Sequence, residues 1–494
     1  MSAVSGPGRG TTTAARLRQV GQQCTNRNWI AFDQHPGRMD ALGSCREMVA
    51  AWVNTLACWP SSNCKAQELA AHADGRHLAS SDTRPTAMFT TRITLEPHTE
   101  LTPEQRAVLA RAAHLARPSV KTRARLAAAL NHLDSQEEII SHLQSERDLS
   151  VPEVVLLSSA WLRRSGKARF AQAMAAVDQA IGLVSDPVDR GLLLTQAGRI
   201  LAGLKCLDGA HRALTEALEL APYSREACMR RATLDLQSGN PQAALALVER
   251  LSSLGVRHAY LLAIRTLALA RAGEIAAAHH TSSLELTDFS DLSPPDGWTN
   301  IDDFNAELAQ ELIAHPAFAR FRYGSAKTAR WGIDAPLSSS TPLIRQLMTQ
   351  IASMLPAAIE RLAAVDHPWN RARPDEAVLH CSCVVSDCGD FDEWHVHPTG
   401  WLNGVYYVRV PNAISSGQDE AGCVAFGLPE PLAGSQSAGE YGISTFRPRQ
   451  GEILLFPSHF YHRTFPHQLA ERRIVITFEL RPAGGHQDRN PAAS

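Results

Sequence analysis

The sequence predicts a multidomain α+β chain in which an α-helical repeat solenoid is followed by an antiparallel β-sandwich of the jelly-roll kind. Three observations predict it. Helical apolar periodicity broken by short turns runs from about residue 101 to 285, and small residues recur within it every 34 positions. Past residue 375 the pattern changes to short β-branched and aromatic runs separated by Gly, Pro, Asn and Ser. At 494 residues the chain has room for about three domains, each able to bury its own core. The expected segments are an N-terminal region at 1–100, helical repeats at 101–285, a linker at 286–300, a β domain at 301–484 and a tail at 485–494.

Residues 1–100 mix Gly, Pro, Ser and Thr with isolated aromatics such as Trp29, Trp52 and Trp59, and show no sustained periodicity. Arg9, Arg16 and Arg18 occur without an acid or a continuous apolar core, which predicts a disordered tail rather than a secretory signal. Helical character begins at Thr102-Pro103-Glu104-Gln105. Thr102 can act as N-cap, Pro103 fits the first helical position, and Gln105 stands where a capping box needs its reciprocating side chain.

Gly239 and Gly273 are 34 residues apart, as are Ala210, Ala244 and Ala278, each where a second helix begins after a turn. A helical pair of that length cannot bury its apolar face alone, so the period predicts stacked hairpins. Small residues at these points let the paired helices approach closely. The segment resembles the tetratricopeptide repeat. Gly198, Ala210, Leu214, Ala217 and Pro222 occupy that family's small, small, large, small and proline positions, and Ala173, Val177 and Ala180 suggest a further unit upstream. The resemblance implies a concave surface for a protein or peptide partner.

Ser293-Pro294-Pro295-Asp296-Gly297 reads as a linker, followed by helices near 302–315 and 341–364. Strands are expected at 376–385, 403–410, 421–427, 451–456 and 473–481. Their number and spacing point to a β-sandwich or jelly roll.

The residues able to do chemistry are concentrated in this last part. If Trp394–Pro398 is extended, His395 and His397 project from one face, because strand side chains alternate with period two. Two imidazoles so spaced can hold one metal ion, and a distant segment containing His459, His462 and His467 offers a third. In the strand that begins at Arg473, the side chains of Arg473, Val475, Thr477 and Glu479 share a face, opposite Ile474, Ile476, Phe478 and Leu480. A guanidinium on a barrel's inner wall is costly unless it meets an anion, and its fork fits a carboxylate. An ion pair with Glu471 or Glu479 is the plainer alternative. Cys381, Cys383 and Cys388 lack paired Cys-x-x-Cys spacing and are expected as strand and loop thiols.

His395-Val396-His397-Pro398, the following Gly404-Val405-Tyr406-Tyr407 strand, the FPSHFYH stretch ending at His462 and the strand from Arg473 together resemble the Fe(II)- and 2-oxoglutarate-dependent oxygenases, from about Asn305 to Pro482. The stretch before residue 336 is similar to that group's lead-in. The resemblance implies a double-stranded β-helix, Fe(II) as metal, 2-oxoglutarate and O2 as co-substrates, and dioxygenase (hydroxylase) activity. Carried over by position, His395 and His462 are metal ligands and Arg473 binds the distal carboxylate of 2-oxoglutarate. The family's third ligand is an acid two residues after the first histidine, where this chain has His397. His397 is the expected third ligand, with Asp392 or Glu393 as the alternative. Val475 stands where a co-substrate-binding serine is usual, which leaves Thr477 as the candidate substitute. Tyr406 and Tyr407 face opposite ways, so one of them, taken as Tyr407, can reach the co-substrate. Arg472 is the rival to Arg473.

With 48 basic and 50 acidic side chains the formal net charge is -2, which supplies no general field for nucleic acid or an anionic membrane. Ten cysteines scattered over the chain suit a reducing, cytoplasmic setting. A peptide or protein hydroxylase fed by the repeats is the leading functional expectation. A small-metabolite hydroxylase with regulatory repeats and a non-catalytic repeat scaffold are the alternatives.

Overall fold

In the computed structural model, residues 91–96, 101–321, 330–337 and 341–483 are described, apart from Ser165, Lys167 and Val365. The tail expected at 485–494 and nearly all of the N-terminal region lie outside these residues. The described part of that region contributes a strand the sequence did not reveal, β1 (Arg92–Leu95), which pairs in parallel with residues 376–379.

Thr102 caps the first helix as its position predicts. Its Oγ1 accepts from the Gln105 amide at 3.2 Å, and Gln105 Oε1 accepts from the Thr102 amide at 2.9 Å. The array then comprises α1 (Pro103–Ala116), α2 (Val120–His132), α3 (Gln136–Leu143), α4 (Val151–Arg163), α5 (Ala168–Ile181), α6 (Pro187–Gly203), α7 (Leu207–Leu220), α8 (Arg225–Gln237), α9 (Pro241–Ser253), α10 (Ala259–Arg271) and α11 (Ile275–Thr281). The 34-residue period has a packing basis. Ala210, Ala244 and Ala278 each stand fourth in α7, α9 and α11 and are fully buried. A Cβ at Gly198 would lie 2.6 Å from Leu214 Cγ, so α6 and α7 can approach this closely only with glycine there. Gly239 and Gly273 end α8 and α10 with φ of +74° and +84°. Lys205 takes the same left-handed conformation one period earlier without being glycine.

Residues 288–291, read from sequence as linker, form β2 (Asp288–Asp291), an edge strand on residues 452–455. Asp-Phe-Ser-Asp carries one apolar residue, so no alternation betrays it. After α12 (Ile301–Ile313) come β3 (Ala319–Phe321), β4 (Arg330–Ile333) and α13 (Pro342–Ala363). The remaining strands are β5 (Glu376–Ser386), β6 (Leu402–Arg409), β7 (Val424–Phe426), β8 (Ser444–Phe446), β9 (Glu452–Pro457), β10 (His462–Thr464) and β11 (Arg473–Pro482). The larger sheet runs β2-β9-β6-β11-β5-β4-β3, with β1 also on β5; the smaller runs β10-β7-β8. These face each other as the double-stranded β-helix. The five strands expected from sequence are β5, β6, β7, β9 and β11, within a few residues at each end.

Helices α12 and α13 bury Phe304, Leu308, Ile344, Leu347 and Ile351 in the same core as Ile474, Ile476 and Leu480 of β11. This leaves the opposite face of the large sheet turned toward the smaller one. The array docks at that mouth. Trp394, Val396 and Tyr461 belong to the array's apolar cluster, together with Leu432 of α14 (Glu430–Ala433) and Tyr441 of α15 (Ser435–Tyr441). Tyr441 stacks on His279 at 4.2 Å, and Arg271 donates to Leu432 O at 3.2 Å.

Neutral histidines line this junction. His459 Nε2 donates to Thr281 O at 2.9 Å, and His367 Nε2 to His280 O at 3.1 Å. Burial pushes His459 and His258 down to about 3. Their folded-state pKa lies below the ordinary 6.5, so the stability they contribute is full above about pH 6.5 and is lost as pH falls toward 3. At pH 5 each such group should cost roughly 2 kcal/mol. Thermal denaturation at pH 7 and pH 5 should therefore show a clear loss, with a shallower pH slope for His459→Gln, which keeps a donor for Thr281 but cannot protonate. Parallel slopes for the two proteins would contradict this origin.

Candidate metal and co-substrate site

Residues 394–398, whose extension the sequence reading took as its condition, form no regular strand but a ladder of single contacts. His395 N donates to His462 O at 3.0 Å and His462 N returns to His395 O at 3.1 Å; His397 N donates to Ser458 O at 3.0 Å. The extended geometry suffices for alternation. His395 and His397 point into the mouth, while Trp394 and Val396 point into the array.

His395, His397 and His462 each offer a ring nitrogen within 4.8 Å of the others. In each ring Nδ1 is held by an oxygen: Glu393 O at 2.8 Å for His395, Glu479 Oε1 at 2.8 Å for His397 and Phe460 O at 3.0 Å for His462. A carbonyl or carboxylate can only accept, so each Nδ1 carries a proton and Nε2 is the atom of each ring left to meet a metal. Hydrogen bonds of this kind orient imidazoles that bind metals. Burial, followed by the proximity of the other two rings, holds His462 well below its ordinary pKa, and burial lowers His395 as well. The cluster is therefore a set of three ring nitrogens of a kind suited to a first-row divalent ion.

Glu479 deserves equal weight in this arrangement. It lies one β11 residue pair beyond Thr477 and accepts from Thr399 Oγ1 at 2.8 Å and from Arg481 Nε at 2.9 Å as well as from His397. Its carboxyl is held well below the usual range by His397 and Arg481, against the opposing effect of burial. Glu479 is thus engaged with His397 rather than Arg473. Asp392, the alternative ligand, is also engaged elsewhere: Arg330 grips it with both terminal nitrogens, one at 2.7 Å, and this pair holds its pKa far down despite burial. Glu393 contributes its carbonyl, not its side chain, to His395.

Arg473 is 4% exposed, and no carboxylate pairs with it among the described residues. It donates to Gly422 O at 2.7 Å and to Ser386 Oγ at 3.4 Å, and its Nε has no partner. The rival Arg472 is committed to Asp387 at 2.8 Å. Arg473, Val475, Thr477 and Tyr407 line a cavity of about 620 Å³ that also contains the three histidines. Burial raises the Tyr407 hydroxyl's pKa, with Arg473 opposing, whereas Tyr406 points away and donates to Asn305 Oδ1 at 2.8 Å. Thr477 Oγ1 makes only a long contact, 3.4 Å, to Ser382 O.

His459 and His467 lie outside the cluster, in backbone-linked positions. Cys381 and Cys383 are buried in β5 and Cys388 is exposed, all as free thiols. Sequence reasoning missed Arg330, although its neighbours were noticed, and missed the array's share of the cavity wall: Met229, Thr233 and Tyr260. An arginine in a short strand has no sequence signature unless its acidic partner, 62 residues away, is known.

Residues 381–479 match the model of a family described as "Putative 2OG-Fe(II) oxygenase". That name carries the metal and co-substrate that the motifs imply. No curated protein matches the chain. Among solved structures, a prolyl-4-hydroxylase of Pseudomonas putida is 14% identical, with 44% of this chain and 100% of that one covered and a TM-score of 0.27. A prolyl hydroxylase of Trichoplax adhaerens, solved with a hypoxia inducible factor peptide fragment, is 15% identical over 43% and 90%, TM-score 0.29. A tetratricopeptide repeat protein of Thermus thermophilus is 21% identical over 30% and 81%, TM-score 0.25.

Titration of the metal-free protein with Co(II) under anaerobic conditions should yield one tight site. His395→Ala or His462→Ala should abolish it, and Glu479→Gln should weaken it by roughly 10- to 100-fold without removing a ligand. Wild-type affinity in Glu479→Gln would show that the carboxylate does not support His397.

Proposed function

We propose that this protein is a 2-oxoglutarate- and Fe(II)-dependent dioxygenase that hydroxylates a protein or peptide substrate presented by the helical array. The observation that carries the reading is the meeting, in one cavity, of three imidazoles with free Nε2 atoms and a buried guanidinium lacking an acidic partner. A buried cation without a counterion is expensive, and a carboxylate-bearing co-substrate is what this one lacks.

His395, His397 and His462 would hold Fe(II), and Arg473 would grip the distal carboxylate of 2-oxoglutarate, with Tyr407 and Thr477 beside it. Bound there, the metal with 2-oxoglutarate and O2 supplies the oxidising power for hydroxylation, releasing succinate and CO2. The chain's own residues do the positioning. The Nδ1 contacts fix the three rings, Val475 and Phe478 keep the floor apolar, and Arg330 neutralises Asp392 so that no free acid competes for Arg473. With His397 in place of an acid, the carboxylate charge is supplied one bond further out by Glu479.

The peptide reading is supported by the cavity wall itself. Met229, Thr233 and Tyr260 come from α8 and α10, so a substrate entering the mouth passes along the array. Among the described residues no helix is long and apolar enough to cross a membrane, and the free thiols favour a cytoplasmic, reducing setting.

Anaerobic protein with Fe(II) should develop the visible charge-transfer absorption of a 2-oxoglutarate chelate and release succinate when air is admitted. Arg473→Ala should raise the 2-oxoglutarate concentration for half-saturation by about 10- to 100-fold, as expected for a lost charged hydrogen-bond pair. Arg473→Lys should recover little, because an ammonium cannot reproduce the fork. Unchanged half-saturation in Arg473→Ala would reject the co-substrate assignment, and a wild-type protein with neither signal would reject the oxygenase.

A further inference from the structure

A second hollow, of about 470 Å³, lies on the array between α6, α7 and α8 and ends at Tyr260 and Pro398. It shares Met229, Thr233, Tyr260 and Pro398 with the cavity that holds the histidines. Pro398 directly follows His397, so the hollow reaches the residue next to the metal cluster. Arg225, Met229, Thr233 and Gln237 are spaced four apart on α8 and form one stripe along it, roughly 18 Å long. The two hollows therefore adjoin.

The wall of the second hollow is cationic. Arg199, Arg225 and Arg230 line it against a single acid, Glu226. Arg230 and that acid are paired, at 2.9 Å from Nε and 2.7 Å from a terminal nitrogen, so the two offset each other. Arg199 is half-buried and donates only to the neutral Ser159 Oγ at 3.2 Å; no carboxylate pairs with it among the described residues. Burial and the nearby Arg230 lower its pKa, with Glu226 opposing in part. Between the cations the lining is apolar, with Leu214, Leu234, Met229 and Tyr260. Alternating apolar and cationic wall suits the side chains of an extended polypeptide better than a continuous phosphate backbone, and the chain's overall charge of -2 adds no attraction for nucleic acid.

We propose that this groove binds an acidic segment of the substrate, with Arg199 facing its carboxylates, and so leads an adjoining residue past Tyr260 into the cavity that holds the histidines. The inference rests on the peptide-hydroxylase reading above and gives its substrate a chemical class: an extended peptide carrying Asp or Glu near the modified residue.

The test uses the full chain and three fluorescein-labelled twelve-residue peptides of one sequence pattern, carrying Glu, Gln or Lys at every third position. By fluorescence anisotropy the Glu peptide should bind at least tenfold more tightly than the Gln peptide, and the Lys peptide most weakly. Arg199→Glu should abolish or invert that order, and Arg199→Gln should reduce it, with far-UV circular dichroism confirming that both variants keep their helices. Equal affinity for the three peptides, an unchanged order in a folded Arg199→Glu, or tighter binding of a twelve-nucleotide oligothymidylate would overturn the proposal. Co(II) titration of the same samples separates the two readings. Charge-selective peptide binding by a protein that takes up no Co(II) would uphold the groove while removing the oxygenase, and Co(II) binding without charge selectivity would remove the groove alone.

Discussion

Alternation along residues 394–397 is the constraint on which the rest of the structure depends. Period two brings His395 and His397 into the histidine cluster and sets Trp394 and Val396 against the apolar cluster of the helical array. The same division occurs on the facing segment, where Tyr461 belongs to the array's cluster and His462 to the donor set. The histidine-bearing segments are short and irregular, with only a few backbone hydrogen bonds to hold them. Burial of their other side chains in the array's apolar cluster supplies what a longer strand would otherwise provide. The array is therefore a wall of the site as well as a neighbour of it.

Charge balance explains the second unusual feature. A site with three imidazoles brings no negative charge to a divalent metal, and the cavity holds two guanidinium groups besides. Asp392 answers Arg330, and Glu479 stands behind His397. Glu479, shared between His397 and Arg481, places a carboxylate directly behind the ring at the position where an acid was expected. The low dielectric of the cavity makes this balance matter more than it would at a surface.

Much of the arrangement was legible in the sequence, for physical reasons that differ by element. The repeats were visible because Ala210, Ala244 and Ala278 must be small wherever two helices touch, and that requirement recurs at a fixed interval. The histidine pair and the face of β11 were visible because a strand's period is short enough to read in five residues. What stayed hidden depends on partners far apart in the chain. Arg330 with Asp392, Glu479 with His397, and Tyr260 with Pro398 are each unremarkable until the fold joins them. β2 was missed because none of its four residues is fully buried and one alone is apolar, and β1 because four residues in a Thr-rich stretch give no period to count.

Coupling between the array and the histidine cluster is read out by amide hydrogen exchange of the intact protein with and without Co(II). The metal should slow exchange at 394–397 and also in α8 and α10, whose Met229, Thr233 and Tyr260 line the same cavity as the three histidines. Protection confined to the β domain, with both helices exchanging at unchanged rates, would contradict it.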